Sequence, residues 1–205
     1  MTKPPSEKSY HHKDLRQSLI KAALELIAQK QDASTLSLRE VARRVGVSNA
    51  APYRHFADKN ALLAAVAEEG FYILTRYLHS SIENTSDDPL HQLQVSGVAY
   101  VKFAISHPSH YRVMFSAFKA DNLCYPSLNA AGQEAFAVMM NAIASGQQLG
   151  KIKVGEPRQL AWVTWSLVHG LAMLLIDHQL PIIDEQDIVA VAELATQSLI
   201  NGMRS

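Results

Sequence analysis

The stretch from Ser37 to Lys59, SLREVARRVGVSNAAPYRHFADK, constrains the fold of this chain more than any other. Leu38, Val41, Ala42 and Val45 recur at helical spacing over one short run, and Gly46 closes it. Ser37 and Glu40 have the S-x-x-E spacing of a capping box, so the start of that helix is well signalled. Gly46 takes a left-handed conformation at little cost and supplies the stop. Ser48 or Asn49 can cap a further helix that runs to about Phe56. Pro52 lies inside it, lacks a backbone donor and disfavours helix at Ala51; capping at Asn49 accommodates it more easily, and the helix must be short. Two short helices around a glycine turn form a unit that places a helix in the major groove of DNA.

Helical periodicity continues on both sides, and no period-2 strand is read. Leu15, Leu19, Ala22, Ala23, Leu26 and Ile27 stripe a first helix, with Gln31–Thr35 as its break. Asp58 caps a longer helix through Leu62, Leu63, Val66 and Phe71 to about Ile82. Further helices are expected over Pro89–Ser106, Ser109–Ala117, Ser127–Gln148, Pro157–Asp177 and Glu185–Met203. The fold class is therefore all-α. A flexible arm (1–12) and a three-helix helix-turn-helix domain (13–60) precede a larger helical domain (61–205). No stretch is read as a membrane span, and the first residues lack the apolar core of a signal peptide. A single cysteine, Cys124, excludes an internal disulfide, so a cytoplasmic address is expected.

The formal net charge of zero is unevenly distributed. Residues 1–60 carry eleven Lys and Arg against six Asp and Glu, a formal +5, and the remainder carries −5. DNA binding needs cations for phosphates and a few side chains for base edges. Arg39, Arg43 and Arg44 lie off the apolar face of the second helix, and Asn49, Tyr53, Arg54 and His55 fall in the third. Lys59 sits in the first turn of the next helix, where the positive end of the dipole disfavours a cation. A phosphate shared between Lys59 and the free N–H groups would relieve that conflict; the other reading is a solvated surface lysine.

Leu38–Ser48, Tyr53-Arg-His-Phe56 and Lys59–Leu63 together resemble the TetR family of bacterial transcriptional regulators, over roughly residues 13–63. The resemblance implies that Asn49 and Ala50 face the major groove, with Tyr53 and Arg54 close by. It implies that Ser37, Tyr53, His55 and Lys59 hold phosphates. The DNA-binding candidates are thus Ser37, Arg39, Arg43, Ser48, Asn49, Ala50, Tyr53, Arg54, His55 and Lys59. Phe56, Val45 and Leu62 read as core. Pro52 departs from the commoner small or aliphatic residue.

In the larger domain, Trp165-Ser-Leu-Val-His169-Gly170 is similar to the Trp…His-Gly signature of one subgroup of TetR-like ligand-binding domains. Trp165 and His169 are four apart and share a helix face. Gly170 costs about 1 kcal/mol relative to alanine inside a helix, which points to a close helix contact or room for a ligand. Two readings stand for the pair: packed core, or effector contact. Met114, Phe115, Phe118, Phe136, Met139 and Met140 form an adaptable apolar set with the same two readings. The effector-binding candidates are Met114, Phe115, Phe118, Phe136, Met140, Trp165 and His169, and few charges nearby favour an uncharged or amphipathic small molecule. The resemblance also implies that the last two helices of each subunit pack as a four-helix homodimer interface on a pseudo-palindromic operator. The expectation is a repressor of double-stranded DNA operators, not an enzyme, needing no cofactor or metal. His107 and His110 lack companion ligands, His11 and His12 lie in the arm, and Cys124 has no base beside it. An activator or effector-independent DNA binder, and a helical carrier or enzyme, are the alternative classes.

Overall fold

Four of the helices begin on proline: α4 (Pro89–Ser106), α5 (Pro108–Ser116), α6 (Pro126–Gln148) and α7 (Pro157–Ile176). In the first turn the missing N–H would have had no intrahelical acceptor, so proline starts a helix without loss. The remaining α-helices are α1 (Glu7–Lys30), α2 (Leu38–Val45), α3 (Lys59–Ile82) and α8 (Glu185–Met203), with a 3-10 turn at Pro52–Arg54. The computed structural model describes residues 7–83, 85–116, 125–182 and 184–205, with side chains except at 7–14 and 116. Among these, the only β-type pairing is an isolated antiparallel bridge between Ile152 and Arg204. The chain is all-α, with a helix-turn-helix domain followed by a helical carboxy-terminal part.

Three expectations change. Residues 7–12, assigned to the arm, belong to α1. The third helix is the single 3-10 turn, closed by His55 and Phe56 N–H donating to the Pro52 carbonyl at 2.9 Å each. Neither Ser48 nor Asn49 caps it, since Ala51 stands at the cap without a side-chain hydrogen bond. α7 is also long and apolar enough to span a membrane by length and composition. Its uncharged run from Gln159 to Ile176 is interrupted only by residues such as Thr164 and His169, and Ala161, Thr164, Val168 and Ala172 are buried.

The chain divides into two compact units, Met1–Glu69 with Ser109–Leu128, and Gly70–Pro108 with Asn129–Ser205. The division comes within α3 rather than at residue 60, because Leu62, Leu63 and Val66 at its start are buried core. In the first unit, Glu69 accepts from Gln17 Nε2 at 3.0 Å and lies 3.5 Å from His110 Nε2, while Ser127 donates to Glu68 at 3.1 Å. Those contacts tie the later segment to α1 and α3.

In the second unit α4 packs against α7 and α8. Gly97 permits the close approach: a Cβ there would stand 2.6 Å from Thr196 Cγ2 of α8. The Thr196 rotamer is held by its hydroxyl donating to Ala192 O at 2.8 Å, so the methyl cannot swing away freely. Gly146 of α6 is similarly crowded by Ile152 Cδ1 at 2.6 Å. Ile152 joins Leu93, Ile143, Ala161, Ile200 and Met203 in the core, and Lys153 closes the end of α8 through its N–H to Met203 O at 2.9 Å. Gly170 is different. Among the described residues a Cβ there meets nothing within 4 Å, so no close contact with a described helix explains it.

These environments predict opposite outcomes for one substitution. Gly97→Ala should destabilise the chain by about 1–2 kcal/mol through overpacking, with Thr196→Ser restoring most of the loss. Gly170→Ala should stabilise it by up to ~1 kcal/mol through helix propensity. Chemical denaturation of these three variants beside the wild-type chain checks both.

Candidate nucleic-acid interface

The reading head is built on a helix stop that matches its signal. Gly46 adopts φ 81°, its N–H reaches Arg43 O at 3.2 Å, and Val47 N–H reaches Ala42 O at 3.0 Å. That pair of bonds is the Schellman pattern. At the other end, Ser37 Oγ accepts from Glu40 N–H at 3.2 Å. The reciprocal half of the capping box is absent, because the Glu40 carboxylate turns to Lys30 at 2.7 Å.

The charges of α2 divide into two sets. Glu40 pairs with Lys30, and Arg44 donates to Glu25 at 3.2 Å and Gln29 at 2.7 Å, so both are committed to α1. Arg39 and Arg43 have no ion-pair partner among the described residues and line an open concavity with Ser37, Glu40, Val47, Ser48 and Asn49. The expected DNA-facing set Ser37, Arg39, Arg43, Ser48 and Asn49 is therefore brought together on one surface. Ala50, Tyr53 and Arg54 are exposed beyond it, Tyr53 at 55%. His55 is half-buried, and Phe56 is core, covered by the Arg16 guanidinium 5.5 Å from its ring centre.

Lys59 stands apart from this set. It begins α3, capped by Asp58 Oδ1 accepting from Ala61 N–H at 2.8 Å, and its ammonium donates to Ser34 O at 2.9 Å. Sequence reasoning missed that partner because Ser34 lies in the preceding loop, 25 residues away.

The effector candidates are divided between the two units. Phe136, Trp165 and His169 come together in the second unit, at ring separations of 6.5 Å and 5.6 Å, and Met140, four residues after Phe136, packs against the core. Met114 and Phe115 belong to the first unit, where Met114 is buried and Phe115 contacts Tyr111 at 4.8 Å. Phe118 and Cys124 lie outside the described residues. His107 stacks on Phe103 at 5.2 Å while His110 faces Glu69, so the two histidines have separate partners.

A residue that the pattern did not reveal, Tyr100, joins Trp165 to His169. The Trp165 indole N–H donates to Tyr100 Oη at 3.0 Å, and Tyr100 Oη lies 3.3 Å from His169 Nδ1. An indole can only donate, so the phenol oxygen accepts there, and the same oxygen lies within hydrogen-bond reach of the neutral imidazole. Burial pushes the His169 pKa below its ordinary value of 6.5, which keeps that neutral form.

Residues 93–199 match the model of the tetracyclin repressor-like C-terminal domain, and residues 19–66 match that of bacterial regulatory proteins of the tetR family. The chain belongs to the TetR family. A solved protein of unknown function from Rhodococcus sp. RHA1 is 30% identical, with 97% of this chain and 100% of that one covered at a TM-score of 0.81. A tetR-family regulatory protein from Rhodococcus RHA1 is 20% identical, covering 90% and 96% at 0.73. The fatty acid degradation regulator FadR from Bacillus halodurans is 14% identical, covering 92% and 99% at 0.74. TetR-family proteins are transcriptional regulators rather than enzymes, and they bind DNA and small effectors as dimers.

Two outcomes follow for the Tyr100 chain. Tyr100→Phe strands the Trp165 donor and should cost about 1–3 kcal/mol in urea denaturation. Because the folded His169 pKa is lowered, the unfolded chain binds the proton first as pH falls. Stability should therefore decline below pH ~6.5 until the folded ring also protonates, and His169→Gln should decline less over that window.

Proposed function

We propose that this TetR-family chain is a cytoplasmic homodimeric repressor, released from a pseudo-palindromic operator by a small uncharged or amphipathic effector. The observation that carries the DNA reading is the exposed concavity of Arg39, Arg43, Ser37, Ser48 and Asn49, in which neither arginine has a carboxylate partner among the described residues and Glu40 is paired with Lys30. In this reading Ser37, Arg39, Arg43, Tyr53 and His55 hold phosphates. Ser48, Asn49, Ala50 and Arg54 face the base edges. With alanines at 50 and 51, Asn49 is the main polar reader, and contacts to thymine methyls share the task.

The dimer reading is supported by an apolar face that the second unit leaves exposed. Trp162 (52%), Val163, Leu167 and Leu174 of α7 and Leu194 (67%) of α8 are all large and solvent-facing. A second copy of the same helices would cover them as a four-helix contact and set the spacing of two reading heads. The face that makes α7 membrane-like in composition is, in this account, an interface.

The effector reading is supported by Phe136, Trp165 and His169, an apolar wall with one directed polar group. An effector that binds the DNA-free conformation more tightly shifts the population away from the operator-bound one, and by linkage DNA weakens the effector equally. Equal effector affinity for free and DNA-bound protein would remove the release mechanism.

Selection of genomic fragments by the purified chain tests the whole reading, with enrichment of a two-fold symmetric motif expected and featureless enrichment contradicting it. On the selected duplex, Arg43→Ala should reduce the log–log salt slope by about one, uniformly across sequences. Asn49→Ala should instead relax discrimination at one base pair per half-site by about 1–3 kcal/mol.

A further inference from the structure

The buried stripe of α1 ends on a charge. Ile20, Ala23 and Ile27 share one helix face and are at most 1% exposed. Arg16 is the next position on that face toward the amino terminus, four residues before Ile20, and it is exposed. An arginine there covers apolar surface with its aliphatic stem while its head stays in water. What it covers is Phe56, 3% exposed, whose ring centre lies 5.5 Å from the guanidinium carbon. Phe56 N–H in turn donates to Pro52 O at 2.9 Å, so Arg16 stands over the end of the turn that presents Tyr53.

The charge of Arg16 is not used inside the chain. Gln17 beside it donates to Glu69, and Lys30 and Arg44 are paired with Glu40 and Glu25. Arg16 has no carboxylate partner among the described residues, a condition it shares with Arg39 and Arg43. An aromatic ring attracts a cation through its quadrupole and neutralises none of the charge. The ring also offers no lone pair to the guanidinium N–H donors, which remain for an oxygen acceptor. Resting the head on the ring limits its freedom beforehand, so less is lost when an anion binds.

We propose that Arg16 is a further ligand of DNA phosphate, extending the contact surface from α2 and the 3-10 turn onto α1, with Phe56 as the platform for its guanidinium. This rests on the DNA-binding reading above. The ligand class is the backbone phosphodiester, because a guanidinium without an internal carboxylate matches its charge and its paired oxygens. The competing role is a cover for Phe56 and nothing more, and the two differ in what removal of the charge alone does.

The full-length chain is compared with Arg16→Met, Arg16→Gln, Arg16→Lys and Arg43→Ala on the duplex that the wild-type chain selects from a random-sequence pool. Binding is measured over a range of salt and corrected for active fraction, and urea denaturation is followed for each variant. Methionine keeps an unbranched apolar stem for Phe56 and removes the charge. Arg16→Met should bind about tenfold more weakly near ~0.1 M salt, with the log–log slope reduced by about one and the loss equal across operator variants. Arg16→Gln should lose as much, so a folding defect in one neutral variant does not decide the result. Arg16→Lys keeps the charge and should keep the slope, binding within about threefold of wild type. Methylphosphonate linkages, which remove one backbone charge at a time, should include a position in each half-site that weakens the wild-type chain but not Arg16→Met. That position should differ from the one coupled in the same way to Arg43→Ala. An unchanged slope in both neutral variants, or no linkage coupled to Arg16, would overturn the proposal. So would lowered urea stability with full binding per active molecule, which leaves Arg16 as a cover for Phe56 only. If Arg43→Ala lowers the slope and the neutral Arg16 variants do not, the DNA-binding reading stands and this proposal alone fails. If the wild-type chain selects no duplex, both fail.

Discussion

Helix α2 depends on its burial against α1. At eight residues it is shorter than the ~12–15 that an isolated helix needs to be even marginal in water, so the helix exists because Leu38, Val41 and Ala42 are buried. The contact also orients everything exposed on it. With the apolar stripe turned inward, Glu40 and Arg44 meet Lys30, Glu25 and Gln29 of α1, while Arg39 and Arg43 are left at the opposite edge. Gly46 then turns the chain sharply enough to bring Ser48 and Asn49 back beside those arginines. The surface proposed to face DNA is a consequence of how a short helix is held down.

Much of this was legible before any coordinates. Helices α4 and α8 begin and end where caps, prolines and periodicity place them, and α5, α6 and α7 differ by a residue at one end or both. The Ser37 cap, the Gly46 stop and the Asp58 cap are local devices, read from residues within a few positions. What the sequence hid was non-local. The partner of Lys59 lies across a loop, the partners of Arg44 lie on α1, and Tyr100 is 65 residues from the tryptophan that donates to it. No periodicity encodes such meetings. Pro52 was legible as a difficulty but not as an outcome: lacking a donor and facing two alanines before it, the segment closes on the Pro52 carbonyl as a single 3-10 turn.

The carboxy-terminal unit shows a different limit. Gly170 read as either a close helix contact or room for a ligand, and the close contacts are at Gly97 and Gly146. Glycine marks either proximity or space, and only packing distinguishes the two. The apolar composition of α7 likewise serves two purposes, with one face buried against α4 and α8 and another exposed as Trp162, Leu167 and Leu174. TetR-family membership accounts for both parts of the chain, an amino-terminal DNA-binding domain and a helical carboxy-terminal domain. In the body, the Trp165 indole, the Tyr100 hydroxyl and the His169 ring form a polar chain that no local pattern announces.

The central claim is that DNA is read by the edge of α2 and the turn that follows it. Photo-crosslinking the full chain to its selected duplex, with thymines replaced one at a time by 5-iodouracil, tests this most directly. The account predicts adducts on peptides within Ser37–His55, with exposed Tyr53 the prominent acceptor. Adducts confined to other parts of the chain, with none between Ser37 and His55, would contradict it.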